Sequence, residues 1–182
     1  MISFKKNKPS ILVVGDLMID QYLWGSCNRI SPEAPVQVIT VDNENMVLGG
    51  AGNVINNLRS LQAKVDVISV IGECRSSMKV TNLLSEINVD IKYLVTQKDR
   101  ITSKKSRIIS SQQQVVRFDR ESIVEINTES EEAVIEIYKK IINNYDIVLI
   151  SDYGKGVLTS NLTQSLISIA NINDKKILVD PK

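Results

Sequence analysis

Short, unbroken apolar runs alternate along this chain with stretches in which apolar residues recur every three or four positions. The first run, Ile11-Leu12-Val13-Val14, closes on Gly15-Asp16. It is β-branched, apolar at every position and too short for a helix, so it predicts a strand buried on both faces. The same grammar recurs in Val65 to Ile71 before Gly72-Glu73, in Ile147 to Ile150 before Ser151-Asp152, and in Ile177 to Val179 before Asp180-Pro181-Lys182. Between these runs, four sets keep helical spacing: Val54, Leu58, Leu61; Val80, Leu83, Leu84, Ile87; Val134, Ile137, Tyr138, Ile141; and Leu162, Leu166, Ile169, Ala170. Thr128-Glu129-Ser130-Glu131 has capping-box spacing ahead of the third set, and its acids suit the positive end of a helix dipole. Strands alternating with helices predict an α/β fold with a mainly parallel sheet covered on both faces. In such sheets ligands gather beyond the carboxyl ends of the strands, where Asp16, Glu73, Asp152 and Asp180 fall.

Two stretches break the alternation. Gln21 to Trp24 and Val36 to Val41 read as strands separated by a loop, Gly25 to Pro35, too long and too rich in turn formers for a tight hairpin. Ile101 to Ile109 and Gln114 to Phe118 form a second candidate pair, turning through Ser110-Ser111-Gln112-Gln113. Together they predict a small β lid inserted into the core; absorption into the main sheet as extra strands is the alternative. The expected division is a core of residues 1–16, 43–95 and 121–182, with lid insertions at 17–42 and 96–120.

Composition narrows the chemistry. The chain has 182 residues, a formal net charge of +1 and no histidine. Near-neutral charge argues against general nucleic-acid or membrane-surface binding, and Lys104-Lys105-Ser106-Arg107 reads first as solvated surface. Without histidine there is no Ser-His-Asp or Cys-His chemistry, so any catalysis must use carboxylates, lysines, arginines or backbone dipoles. Cys27 and Cys74 form no C-x-x-C, and neither a disulfide framework nor a metal site is expected. The basic start, Met1 to Pro9, lacks the apolar stretch of a signal peptide, and a cytoplasmic location is expected.

Leu48-Gly49-Gly50-Ala51-Gly52-Asn53-Val54 places glycines at the mouth of a predicted helix. It satisfies only the first two glycines of G-x-G-x-x-G and does not follow the first strand. No G-x-x-x-x-G-K-[ST] occurs, so dinucleotide and Walker sites are disfavoured. Asn53 at the helix start can cap backbone or offer a donor and an acceptor to a hydroxyl, and Asp16 and Asp20 can each accept hydroxyl hydrogen bonds. These residues together predict a polar small-molecule pocket.

Five motifs in order carry a resemblance: Val13-Val14-Gly15-Asp16-Leu17-Met18-Ile19-Asp20, Arg29-Ile30-Ser31-Pro32-Glu33-Ala34-Pro35-Val36, Gly49-Gly50-Ala51-Gly52-Asn53-Val54, Ser151-Asp152-Tyr153-Gly154-Lys155-Gly156 and Val179-Asp180-Pro181-Lys182. The chain resembles the ribokinase-like (PfkB) sugar kinases along essentially its whole length. The second and fourth motifs are most similar to members acting on D-glycero-β-D-manno-heptose 7-phosphate. The resemblance implies a sugar held between an α/β core and a β lid, with ATP and Mg2+ serving transfer to the anomeric hydroxyl. It implies sugar contacts at Asp16, Asp20, Gly49, Gly50 and Asn53, the glycines leaving room for the ring. It also implies a phosphate contact at Lys182 and, from the lid, at Arg117, for which a plain strand surface charge is the alternative, with Asp152 and Lys155 either positioning phosphate or supporting the site. A homodimer through the lid and a fused nucleotidyltransferase domain are further expectations, with neither nucleic acid nor membrane as partner. The Asn-x-x-Glu and Gly-Ala-Gly-Asp motifs of the family, which supply metal contacts, anion hole and catalytic base, do not occur before Lys182. The expectation is therefore an amino-terminal portion that is inactive alone and binds no nucleotide strongly. Another sugar kinase of the family, or a non-catalytic binding or dimerising module, are the alternatives.

Overall fold

The computed structural model describes residues 8–182; the basic start through residue 7, and with it the first part of the expected core, lies outside the described residues. In chain order the elements are β1 (Ser10–Gly15), β2 (Leu17–Ile30), β3 (Gln37–Gly50), α1 (Ala51–Ser60), β4 (Lys64–Gly72), α2 (Arg75–Glu86), β5 (Leu94–Gln97), β6 (Ser103–Ser110), β7 (Gln113–Arg120), α3 (Thr128–Ile141), β8 (Ile147–Ser151), α4 (Ser160–Ile172) and β9 (Lys176–Asp180). A five-stranded sheet runs β5-β4-β1-β8-β9, and every neighbouring pair is parallel.

β1 lies at the centre of that sheet and shows why its sequence has no polar face. Ile11 and Val13 pack with Ile55 of α1 and Val80 and Leu84 of α2, whereas Leu12 and Val14 pack with Val134 and Tyr138 of α3 and Leu162 and Leu166 of α4. Burying each such side chain contributes about 1.5–3 kcal/mol, so the sheet, more than intrinsic helix propensity, holds the helices in place. β5 escapes the pattern reading because Leu94-Val95-Thr96-Gln97 is short and only half-buried. α3 starts one residue earlier than its capping-box spacing suggests. Asn127 accepts the Ser130 N–H at 2.9 Å, and Thr128 is already helical.

The remaining four strands form a second sheet in the order β3-β2-β6-β7, with β2 and β6 parallel and the outer pairs antiparallel. Two expectations are corrected here. Residues 25–30, expected as loop, continue β2, and only a short turn before Gln37 separates it from β3. The turn formers are absorbed as register shifts at Trp24/Gly25 and Cys27/Arg29. Gly25 allows this because a Cβ there would sit 2.1 Å from the Thr40 carbonyl oxygen. The 110–113 turn has Ser111 and Gln112 as its central pair, both left-handed at φ 51° and 64°, the backbone of a two-residue hairpin loop whose twist matches the flanking strands. β3 runs on to Gly50, past the expected boundary at 42, and passes directly into α1.

Candidate functional site

Strand alternation gives the lid two chemically different faces. Register places Asp20, Lys105 and Asp119 in one row and Asn45, Tyr22, Arg107 and Arg117 in the next, all on the same face of the sheet. On this face Arg107 Nη1 donates to Asp20 Oδ1 at 2.5 Å, and the Arg107 guanidinium lies 5.3 Å from the Tyr22 ring centroid. Tyr22 stacks on Trp24, and Arg117 Nε pairs with Asp119 at 3.1 Å. Burial works against the Arg107 charge, but the hydrogen bond and charge of Asp20, with Tyr22 and Asp119, outweigh it and raise its pKa. From this face Lys105 reaches the carboxyl ends of the core strands, where it joins Asp152, Tyr153, Lys155, Asp180 and Lys182 around a cleft of about 420 Å³.

Within that cleft the 152–156 turn is built by its own backbone. Asp152 Oδ1 accepts the Gly154 N–H at 2.7 Å, the Asp152 N–H reaches the Asp180 carbonyl at 3.0 Å, and Gly154 takes a left-handed φ of 61°. The Lys182 side chain lies over Gly154, its Nζ 2.7 Å from where a Cβ would be. Lys155 Nζ contacts both Glu121 oxygens, at 2.9 and 2.8 Å, so it faces the cleft already paired. Asp152, Lys155 and Lys182 are thus brought together, joined by Lys105 from the lid.

Asp16 is a correction. Its carboxylate is fully buried and points beneath the turn, where Oδ2 accepts the Tyr153 and Lys155 N–H groups at 2.9 and 3.1 Å and Oδ1 accepts that of Val157 at 3.1 Å. Both oxygens are engaged by backbone, so Asp16 shapes the site without facing a sugar. Asp20 does lie against the glycine turn. The reason for Gly49 also changes: a Cβ there would sit 2.3 Å from Asp20 Oδ2 and 2.9 Å from Met18 Cγ, so the missing side chain makes room for protein atoms. Gly50, at φ 56°, would strike the Asp16 carbonyl oxygen at 2.5 Å. Gly50 is also the cap residue of α1, whose start has no side-chain cap, and Asn53 is exposed on the first turn. Arg117 stands on the charged lid face beside Asp119.

Lys105, Arg107 and Glu121 are the residues that sequence reasoning passed over. The run Lys104-Lys105-Ser106-Arg107 held the signal, because a period of two puts 105 and 107 on one face. Only the pairing of β6 with β2 shows that this face turns inward. Among the described residues no group of three or more His, Cys, Asp or Glu is placed to hold a metal ion. Nor is any helix there long and apolar enough to cross a membrane.

A parallel α/β core with a four-stranded lid over its strand ends is the architecture of ribokinase-like proteins. It is shared with the tetrameric inhibited form of phosphofructokinase-2 from Escherichia coli, at TM-score 0.72 and 19% identity over 96% of this chain and 55% of that one. Arabidopsis thaliana ribokinase, solved with ribose and ATP, matches at TM-score 0.62 and 14% identity over 96% of this chain and 54% of that one. The pfkB family carbohydrate kinase model matches residues 8–182, and the chain belongs to that family. Among curated relatives, the Bifunctional protein HldE of Aliarcobacter butzleri (strain RM4018) is 59% identical over 97% of this chain and 37% of its own length. That of Helicobacter hepaticus (strain ATCC 51449 / 3B1) is 45% identical over the whole chain and 38% of its own length. The chain therefore spans well under half the length of these relatives.

Proposed function

We propose that this chain is the sugar-binding portion of a kinase that phosphorylates D-glycero-D-manno-heptose 7-phosphate at its anomeric hydroxyl, with ATP as donor. The observation that carries the reading is a cleft lined by Lys105, Lys155 and Lys182, with Asp20 directly beside Lys105 in the lid register. Asp20, braced by Arg107, offers acceptor oxygens to sugar hydroxyls, while Lys105, Lys155 and Lys182 supply positive charge for phosphate oxygens. The motifs shared with heptose-phosphate kinases and the identity to HldE proteins favour this sugar over others of the family. In the contact set Asp20, Gly49, Gly50, Asn53, Arg117, Asp152, Lys155 and Lys182 stay, and Asp16 becomes a support beneath them.

In the proposed reaction the anomeric oxygen bonds to the γ-phosphorus of ATP, the bond to the β-phosphate oxygen breaks, and the hydroxyl proton passes to a base, giving heptose 1,7-bisphosphate and ADP. Mg2+ bound with ATP would neutralise phosphate charge. No carboxylate cluster of the described residues fits a resident cation; in this reading the role of the chain's own residues is to bind and orient the sugar. The base and anion hole belong, in this reading, to the part of the relatives that the chain does not span, and the chain alone transfers no phosphate. A fused nucleotidyltransferase domain and cytoplasmic location accord with the same relatives. Pairing of two copies through the lid accords with its exposed Val41, Val116 and Phe118.

Calorimetric titration of the chain with heptose 7-phosphate, unphosphorylated heptose and ATP tests the reading. Saturable binding of the phosphorylated sugar, weaker binding of the free sugar and no ATP turnover are expected. Equal affinity for both sugars, or turnover comparable to an intact heptose kinase, would refute it.

A further inference from the structure

The chain passes between core and lid four times: at Asp16, between Gly50 and Ala51, around Arg100, and near Val124. All four passages meet in one hydrogen-bonded hub around the buried side chains of Asp16 and Arg100. At the first two, the Ala51 N–H donates to the Asp16 carbonyl at 3.0 Å. At the other two, Arg100, only 7% exposed, donates from Nη1 to the Val124 carbonyl at 3.0 Å and from Nη2 to the Lys155 carbonyl at 2.5 Å.

The backbone at Lys155 links the two halves. Its N–H, in the 154–155 peptide, donates to the Asp16 carboxylate while its carbonyl, in the 155–156 peptide, accepts from Arg100, so a negative and a positive side chain hold the two adjacent peptide units on either side of its Cα. Arg100 makes no direct ion pair with a described carboxylate. Burial pulls its pKa down and the charge of Asp16 pulls it up. The surrounding glycines leave little slack. A Cβ at Gly72 would lie 1.8 Å from the Arg100 carbonyl oxygen, and one at Gly156 would lie 2.3 Å from that of Val124. The Ile126 N–H closes the fourth passage onto the Gly156 carbonyl at 2.8 Å.

We propose that Arg100 is a positioning residue which, acting with Asp16 through the backbone on either side of Lys155, locks the lid and the 153–157 turn into one geometry. The lid carries Asp20 and Lys105, and the turn carries Lys155; rotation of one body against the other would separate hydroxyl contacts from phosphate contacts. The inference deepens the sugar-phosphate reading and rests on it for its consequence, though the hub itself is independent of any ligand.

Amide hydrogen exchange on the ligand-free protein and on R100M and R100K tests the hub first. In R100M, protection falls roughly tenfold or more at Tyr153, Lys155, Val157, Ala51 and Ile126 together, while core amides such as Val67 keep theirs. R100K, whose ammonium can satisfy a carbonyl but not in forked geometry, gives a smaller loss at the same amides. Should R100M not fold, R100K alone decides between this pattern and its alternatives. A uniform loss that includes Val67, or a loss confined to one passage, would overturn the proposal. The second arm titrates heptose 7-phosphate and follows Trp24, the single tryptophan, which lies on the lid. Binding to R100M is expected to weaken roughly tenfold, with partial recovery in R100K; unchanged affinity in R100M would also overturn it. If the unsubstituted protein binds no sugar phosphate, the functional reading fails while the exchange arm still judges the hub.

Discussion

Replacing Gly49 by alanine tests the site at its tightest contact. The new Cβ would stand 2.3 Å from Asp20 Oδ2, 3.0 Å from Asp20 Cγ and 2.9 Å from Met18 Cγ, where ordinary carbon contacts settle at about 3.5–4.0 Å. More than a small adjustment is needed, and two routes exist. β3 can move away from β2, but it is buried at this end and the shift is an overpacking cost of about 1–3 kcal/mol. Alternatively Asp20 can rotate and give up Arg107, a charge-assisted hydrogen bond worth about 1.5–3 kcal/mol between side chains only 20% and 21% exposed. The ranges overlap, so destabilisation of about 1–3 kcal/mol is expected by urea unfolding. If Asp20 turns, the acceptor for sugar hydroxyls turns with it. At about 1.4 kcal/mol per decade, losing one charged hydrogen bond weakens heptose 7-phosphate binding about 10- to 100-fold. Titration calorimetry on G49A, D20N and the double variant separates the effects, since a glycine acting through Asp20 makes the two losses non-additive. G52A is the control. Its Cβ would meet only Leu48 and Leu17, at 3.0 Å or more, and alanine gains about 0.8–1.0 kcal/mol of helix propensity, so binding should not change. Binding by G49A within twofold of the parent, or fully additive losses, would refute the reasoning.

Three further outcomes follow from named contacts. D16N leaves the turn N–H groups facing an amide in place of a carboxylate, and should cost about 1.5–3 kcal/mol by denaturant unfolding; a loss under about 0.5 kcal/mol would contradict the buried geometry of the Asp16 carboxylate. N127A should cost about 1 kcal/mol by thermal unfolding and T128A far less, because Asn127 holds the Ser130 N–H. Backbone and side-chain hydrogen bonds from Ser10 hold the Asp146 carboxyl below its ordinary value of 3.8. The folded state therefore binds its proton less readily than the unfolded chain, so the stabilisation is present above that ordinary value and lost as pH falls through the lower folded one. The melting-temperature gap between the parent and D146N should be open at pH 7 and close below the carboxylate range; a gap independent of pH would be the contrary result.

What could be read from the sequence follows the range of the interactions. Leu12, Val13 and Val14 are fully buried because the strand is sandwiched, and an all-apolar run states that condition locally. Turn formers at Gly25 and Ser26 misled because a bulge and a loop use the same residues, and only the partner Thr40 decides between them. Asp16 and Asp20 illustrate the same limit at the site. Both are carboxylates near the first crossing, but one rotates beneath the 153–157 turn and the other against Gly49, a choice made by segments over a hundred residues away in one case. Arg100 carried no sequence signal at all, since its partners are two backbone carbonyls.

The distribution of charge explains why the lid has to be held rigidly. Arg107 and Arg117 are direct cross-strand partners, an arrangement that repels unless anions intervene. Asp20 and Asp119 each neutralise one of them from the adjoining row. Lys105 lies between those carboxylates in the register and has no ion-pair partner among the described residues, so it is the surplus cation of the lid's inner face. On the core side Lys155 is matched by Glu121, whereas Lys182 makes no such pair among the described residues. The two unmatched lysines therefore approach the cleft from different bodies, one on the lid and one past β9. In the proposed reading a single phosphate would bridge them only while lid and core keep their spacing, which the residues at the four chain passages are proposed to hold.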